Sequence, residues 1–178
     1  MAVFTELTLA DASRVTIRLA PVRRGTEVTL THEFADAAVR DEFVQGWRYQ
    51  LALFANAVTD RLHAGAPGLV DGWFAAWAEV RDDARRRAFE RVASAHVVFR
   101  DRHSVVSGLD DLTAHVGAVH RFMPGVAITR AGDPRHCQGC LLVDWIAQAA
   151  DGQPCGAGTN LFELDAGGRI EAVVGFWR

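Results

Sequence analysis

The ionisable side chains that stand among apolar neighbours lie in the C-terminal half of the chain. Asp101 and His103 follow an apolar run, and their i, i+2 spacing would place both on one face of a strand. A carboxylate beside an imidazole is a common pair for general acid–base catalysis. The alternative is that Asp101 forms a surface ion pair with Arg100, Arg102 or Arg121.

Asp144 occurs in the segment CLLVDWIA, which reads as a strand that is apolar on both faces. Burial there would favour the neutral carboxyl and raise its pKa. A raised carboxyl in a pocket is a general acid or base candidate. The alternative is a structural Asp144 that accepts a bond from a backbone amide or an indole N–H.

His120 falls on the apolar stripe of a predicted helix that also carries Leu109, Leu112, Val116 and Val119. A histidine there is either a core residue with its own partner or a side chain that faces a cavity. In the second case it would face one of the two candidate carboxylates and act as acid or orienting group.

Four further residues are candidates for ligand contact. Trp73, Trp77 and Phe99 are expected to form the wall of an apolar pocket, and Asn160 could bond a ligand carbonyl. Pocket walls and ordinary core positions share this composition, so both interpretations of the aromatic residues stay open.

The segment HCQGC brings His136, Cys137 and Cys140 together, with Cys155 further on. Four soft ligands would suit zinc. Gly139 and the strand after it indicate a tight turn instead, and a second pair at metal spacing is missing. We therefore predict no metal site, and we expect no cofactor. All nineteen basic residues are arginine, which excludes a Schiff-base lysine and is typical of a GC-rich bacterial genome.

Composition limits the function further. The chain has 178 residues, 49% of them hydrophobic, and a net charge of −3. That balance is typical of a globular protein and argues against a nucleic-acid partner. We find neither a signal peptide nor a membrane-spanning run, so we expect a cytoplasmic location and no membrane partner.

Residues 1–65 are predicted to form a hairpin followed by one long amphipathic helix. SRVTIRLAPV and TEVTLTHEF alternate in polarity around the turn RRG, and Asp36 is a plausible helix N-cap. The segment from 5 to 63 resembles the C-terminal part of the START-like, polyketide-cyclase-like superfamily, in the branch related to chaperone-ATPase activators. A half-domain of that kind exposes apolar surface and a strand edge, so we predict a homodimer.

Residues 66–178 read as three helices followed by a run of strands, an α+β arrangement. WFAAWAE, VVFRDRHSVVSGLDDLTAHV, RFMPG, LVDW and GRIEAVVGFW resemble a SnoaL-like domain of the nuclear-transport-factor-2-like superfamily, over about 69–178. The resemblance implies a cone-shaped curved antiparallel sheet with three helices. It covers isomerases, dehydratases, cyclases, hydrolases and non-catalytic modules on one scaffold.

The leading hypothesis is a pocket protein for a small apolar, oxygenated molecule. If it is catalytic, Asp144 or Asp101 would be the base and His103 or His120 the acid in cofactor-free proton transfer. The alternative is a non-catalytic ligand-binding or dimerisation module. A chaperone-associated accessory, which rests on the first segment alone, is a third hypothesis.

Overall fold

A computed structural model describes residues 3–8, 13–22 and 25–178, and for residues 3–8 it describes the backbone alone. The chain forms two compact units, Met1–Ala57 and Val58–Arg178. The division falls inside a helix, upstream of the boundary near Ala66 that the sequence suggested. In the described part of the chain, no helix combines the length and the hydropathy of a membrane-spanning segment.

The first unit is a three-stranded antiparallel sheet followed by helix α1. The elements are β1 Val3–Thr8, β2 Arg14–Val22, β3 Gly25–Glu33 and α1 Ala37–Leu62, with the strands in the order β1-β2-β3. The predicted hairpin is β2–β3, while β1 was not foreseen. Asp36 caps α1 as expected, because its Oδ1 accepts the Ala38 N–H at 2.8 Å.

His32 ties strand β3 to helix α1 inside this unit. The Trp47 indole N–H donates to Nδ1 of His32 at 2.9 Å. Since Nδ1 accepts, Nε2 carries the proton and donates to Ser13 Oγ, also at 2.9 Å. One imidazole therefore connects the start of β2, the end of β3 and Trp47 in the third turn of α1.

The second unit has three helices and a six-stranded sheet, the α+β fold that the sequence predicted. Its elements are α2 Ala66–Ala78, α3 Asp82–Val92, β4 Ala93–Arg100, β5 Val105–Ser107, α4 Leu109–Phe122, β6 Ala127–Cys137, β7 Cys140–Gln148, β8 Pro154–Leu164 and β9 Ile170–Trp177. The strand order is β5-β4-β9-β8-β7-β6. All pairs are antiparallel except β4–β9, which is parallel. Register shifts interrupt four of the pairs and curve the sheet.

The core lies between the inner face of this sheet and the helices. Strand β7 shows the alternation clearly, since Leu141, Val143, Trp145 and Ala147 are buried and the residues between them are not. Against this face pack the buried side chains of α2, α3 and α4, among them Val70, Trp73, Phe74, Phe89, Leu112 and Val116.

A two-residue turn joins β6 to β7 at the segment considered for zinc. Gln138 and Gly139 both have positive φ, 48° and 84°, as a type I′ hairpin turn requires. Cys137 and Cys140 are therefore cross-strand partners, and both are free thiols. Within the residues that the structure describes, no group of three or more potential metal ligands occurs.

Arg85 is a charged side chain with no exposed surface, and it connects the three helices of the second unit. Its Nε donates to the carbonyl of Thr113 at 3.1 Å, and its Nη1 donates to the carbonyls of Glu79 and Val80 at 2.9 and 3.2 Å. Nη2 pairs with the exposed Asp82 carboxylate. A guanidinium this buried is tolerated because its donors are matched to acceptors.

We expect Arg85→Met to destabilise the second unit by about 3 kcal/mol, because it leaves buried carbonyls without donors. Chemical denaturation monitored by tryptophan fluorescence would measure this loss. Arg86→Met is the matched control: Arg86 lies on the same helix in an exposed pair with Glu90, worth less than about 1 kcal/mol. Equal losses in the two variants would contradict the role of Arg85.

Candidate active site

The second unit encloses a cavity with two adjoining chambers. The outer chamber has a volume of about 370 Å³ and the inner chamber about 40 Å³. The outer chamber is lined by Trp77, Asp101, His103, His115, Val119, Met123, Val126, Ile128, Ala147, Cys155 and Trp177. Four of these, Trp77, Asp101, Ile128 and Trp177, also line the inner chamber. Asp101 therefore stands where the two chambers meet.

Aromatic rings form most of the inner chamber. Phe99 packs near both Trp73 and Trp77, with ring centroids 6.3 and 5.4 Å away. On the sheet side Trp145 and Trp177 meet edge to face at 4.9 Å. The three aromatic residues expected to contact a ligand thus line the inner chamber, but Trp73 and Phe99 are almost fully buried and belong to the core as well.

Asn160 also lines the inner chamber and is 7% exposed. Its Oδ1 accepts the Trp145 indole N–H at 3.0 Å. The amide oxygen therefore holds an indole of the wall in place, and the NH2 group is the donor that Asn160 can offer to a ligand.

Asp101 does not lie on a strand, so the prediction that Asp101 and His103 share a strand face is wrong. Strand β4 ends at Arg100, and residues 101–104 form a tight turn closed by the Asp101 N–H and the Ser104 carbonyl at 2.9 Å. The turn forms here because Asp101 Oδ1 accepts the N–H groups of His103 and Ser104, both at 2.8 Å.

The two oxygens of Asp101 have different partners. Oδ1 also accepts the Ser104 hydroxyl at 3.0 Å, while Oδ2 accepts the Trp177 indole N–H at 3.1 Å. Burial alone would raise the pKa of Asp101, but these donors together hold it below its usual value. The carboxylate is thus ionised at neutral pH, with turn and indole donors as its partners instead of the arginines considered from the sequence.

His115 on α4 is the imidazole that faces this carboxylate. It was not among the candidates predicted from the sequence. Its Nε2 lies 3.4 Å from Ser104 Oγ, and its ring packs near those of Trp77 and Phe99 at 6.0 and 5.8 Å. Burial lowers the pKa of His115, against a smaller opposing effect of the Asp101 charge. The available signal was helical spacing, since His115 flanks the Leu112–Val119 stripe.

The other two candidate histidines have different positions. His103 is exposed at the rim of the outer chamber, where its ring meets that of Trp177 edge to face at 5.2 Å. His120 lies within hydrogen-bond distance of the Trp77 carbonyl, Nε2 to O 2.8 Å. His120 therefore joins α4 to the end of α2 and does not line either chamber, which agrees with the first of the two alternatives, a residue with its own partner in the fold, and not with a side chain that faces a carboxylate.

Asp144 lies on the outer face of β7, and its expected burial and raised pKa are wrong. Its side chain is 38% exposed and pairs with Arg178 at 2.6 Å. A bond from the Thr159 hydroxyl, with the Arg178 charge, lowers the pKa of Asp144. Period-two alternation puts Val143 and Trp145 inside and Asp144 outside, on a face that is largely apolar in composition but is not buried.

A pair of histidines, His63 and His136, lies away from the cavity. His136 Nδ1 is 2.9 Å from Asp60, and its Nε2 accepts the Gly139 N–H at 3.1 Å. Nδ1 of the buried His63 is 3.2 Å from Nε2 of His136. Because this Nε2 is an acceptor, His63 Nδ1 carries the proton and donates it. Burial first, and then His136, lower the pKa of His63. This cluster fastens the β6–β7 hairpin to the end of α1.

Comparison with solved structures identifies the fold. This chain is similar to a proposed isomerase of the SnoaL-like family from Agrobacterium tumefaciens C58, with TM-score 0.61 and 24% identity. The match covers 66% of this chain and 98% of the isomerase chain. A proposed polyketide cyclase from Sinorhizobium meliloti is similar over 62% of this chain and 94% of its own, with TM-score 0.50 and 16% identity.

A protein with a cystatin-like fold from Methylobium petroleophilum PM1 is similar over 65% of this chain and 76% of its own, with TM-score 0.54 and 12% identity. No protein-family model and no curated protein matches the sequence. These likenesses establish the SnoaL-like, nuclear-transport-factor-2-like fold that the sequence predicted. The START-like resemblance of residues 5–63 stays a prediction.

We expect Trp177→Phe to raise the pKa of Asp101 toward its usual value, because the ring is kept and one donor to Oδ2 is removed. Carboxyl ¹³C NMR titration would measure it. Thr159→Val is the matched control, since it removes a donor from Asp144 and should raise only the pKa of that carboxyl. An unchanged pKa of Asp101 in Trp177→Phe would contradict the assigned bond.

Proposed function

We propose that the cavity binds a small, largely apolar molecule and that His115 removes a proton from it without a cofactor. The reaction class would be isomerisation, dehydration or aldol-type cyclisation. The observation that carries this proposal is the row His115–Ser104–Asp101, which opens on an apolar chamber of about 370 Å³.

Hydrogen-bond directions support Nδ1 of His115 as the basic atom. The Ser104 hydroxyl has one proton, and it donates that proton to Asp101 Oδ1 at 3.0 Å. Its contact with His115 Nε2, at 3.4 Å, then requires the imidazole N–H to donate to Oγ. His115 Nδ1 is left unprotonated in this tautomer and is the atom that accepts a proton from a ligand.

The electrostatics of the row favour a base. Burial keeps His115 neutral at physiological pH, which is the form that a general base needs. When His115 takes up a proton, the Asp101 carboxylate stabilises the imidazolium through Ser104. Asp101 therefore acts as a positioning and stabilising residue. His103, at the rim, is our candidate for the acid that returns a proton.

The comparisons support the reaction class only in a general way. One similar structure is described as a proposed isomerase and another as a proposed polyketide cyclase. Because one fold carries many activities, the side chains of this chain and not its fold support the proposed reaction.

Hydrogen–deuterium exchange at carbon tests the base directly. In D2O the protein should speed deuterium incorporation next to the carbonyl of 2-tetralone, a bicyclic enolisable ketone, as followed by ¹H NMR. His115→Gln should lower the protein-dependent rate by at least about a hundredfold. The rate should be constant near neutral pH and fall as acid protonates His115, below about pH 6.5.

The control variant is His96→Gln, which removes an exposed histidine on β4. It should exchange at the wild-type rate. Full exchange in His115→Gln would remove His115 from the mechanism. Binding of 2-tetralone without exchange in the wild-type protein would favour the non-catalytic alternative, a ligand-binding module.

A second function, self-association, is favoured by helix α1. None of its residues is buried, and large apolar side chains on it are exposed, among them Phe43, Leu51 and Phe54. Apolar surface of this kind is typical of an interaction site. We propose that the chain is a homodimer and that α1 contributes to the interface.

We expect light scattering at micromolar concentration to give the mass of a dimer. Phe43→Glu with Phe54→Glu should shift the protein to a monomer, because buried carboxylates would be costly in the interface. Arg48→Glu, a charge change on the same helix, is the control and should stay dimeric. A monomeric wild-type mass would contradict the proposal.

A further inference from the structure

The described lining of the cavity contains a carboxylate but no guanidinium group. Among the described residues that line the two chambers, Asp101 is the only carboxylate, and no arginine lines either chamber. The histidines are the other titratable bases there, and burial disfavours the protonated form of His115. The Asp101 carboxylate is therefore the fixed charge of the described chamber lining, inside a wall that is otherwise mostly apolar.

The Asp101 carboxylate retains capacity for a ligand. Oδ1 accepts three donors, from His103 N, Ser104 N and Ser104 Oγ. Oδ2 accepts one, the Trp177 indole N–H. A carboxylate offers about four acceptor sites shared between two oxygens, so Oδ2 still has a lone pair available. Asp101 lines both chambers, so a ligand in either chamber lies next to this residue.

Aromatic rings surround the same point. Trp77 and Trp177 line both chambers, and Phe99 packs against Trp77 with centroids 5.4 Å apart. The π faces of indole and phenyl rings attract organic cations, most strongly where water is excluded. A carboxylate beside several such rings is the combination that proteins use to bind quaternary ammonium groups and protonated amines.

We propose that the ligand of this cavity is an organic cation, an amine protonated at neutral pH, with an apolar body. Its ammonium group would bind Asp101 between Trp77 and Trp177, and its body would occupy the outer chamber. The inference rests on the proposed function, because it names the ligand class of the same cavity.

The charge of the ligand also fits the chemistry of the base. Removing a proton from a neutral ketone leaves an enolate beside Asp101 with the His115 imidazolium as its counter-charge, because no arginine is among the described residues that line the chambers. A cationic ligand that gives the same proton to His115 loses its net charge and becomes neutral or zwitterionic. Proton transfer from a cation therefore avoids placing two negative charges together.

Three ligands with the same aromatic body test the ligand class. Phenethylamine is cationic at neutral pH, 2-phenylethanol is neutral and phenylacetate is anionic. Calorimetric titration of the wild-type protein should give affinities in that order, with about a tenfold or larger preference for the amine over the alcohol. Phenylacetate should bind more weakly than the alcohol because it meets the Asp101 charge.

Two variants separate the role of Asp101 from general effects. Asp101→Asn keeps an oxygen for the turn N–H groups and should lose the preference for the amine while it still binds the alcohol. Asp144→Asn neutralises a carboxylate on the outer face of the sheet and should keep the wild-type preference. The order of the three ligands in the wild-type protein decides the proposal even where Asp101→Asn does not fold.

The outcomes distinguish the two proposals. Equal affinity for the amine and the alcohol, or tighter binding of phenylacetate, overturns the cationic ligand and leaves a small-molecule cavity in place. Retention of the preference in Asp101→Asn overturns the assignment of the ammonium group to that carboxylate. Failure of all three ligands to bind at millimolar concentration counts against both proposals.

Discussion

The buried guanidinium of Arg85 fixes the helices on which the cavity depends. It donates to carbonyls at the end of α2 and on α4, and those helices carry Trp77 and His115. The contact is close: a Cβ at Gly117 would lie 2.5 Å from Nη2, so a larger residue there would displace the guanidinium. A charge with no exposed surface must keep its acceptors in place, and this requirement sets the spacing of the cavity wall.

The polar groups of the cavity follow the same rule of matched partners. The Trp145 indole donates to Asn160, and the Trp177 indole donates to Asp101, so two rings of the wall are oriented by bonds as well as by packing. These bonds make Asp101 both a structural residue and the charge of the site. An ionised carboxylate in an aromatic wall then determines which ligands are electrostatically acceptable.

The fold itself does not decide between catalysis and binding, because this scaffold carries both. The distinguishing feature is local: a neutral imidazole, a bridging hydroxyl and a carboxylate in one row at the chamber wall. Asp144 shows the contrast. Its pKa is lowered like that of Asp101, but its partners are Thr159 and Arg178 on the outer face of the sheet, and Asp144 lines neither chamber.

The sequence by itself determined most of the elements and their order, although strands β1 and β5 were not foreseen. Alternation of period two gave the strands, helical spacing gave α1, α2 and α4, and Asp36 and Gly139 marked a cap and a turn correctly. Trp77 and Phe99 were recognised as wall residues because aromatic side chains on inner faces are buried in any arrangement.

Only the tertiary structure decided which ionisable groups meet. Asp101 is held by an indole 76 residues away, and His115 reaches the same carboxylate through a hydroxyl from a different element. Alternation says that Asp144 and Trp145 point to opposite sides, but it cannot say which side is the interior without the packing of the helices. Charge, burial and pKa arise from such long-range contacts, which local pattern does not encode.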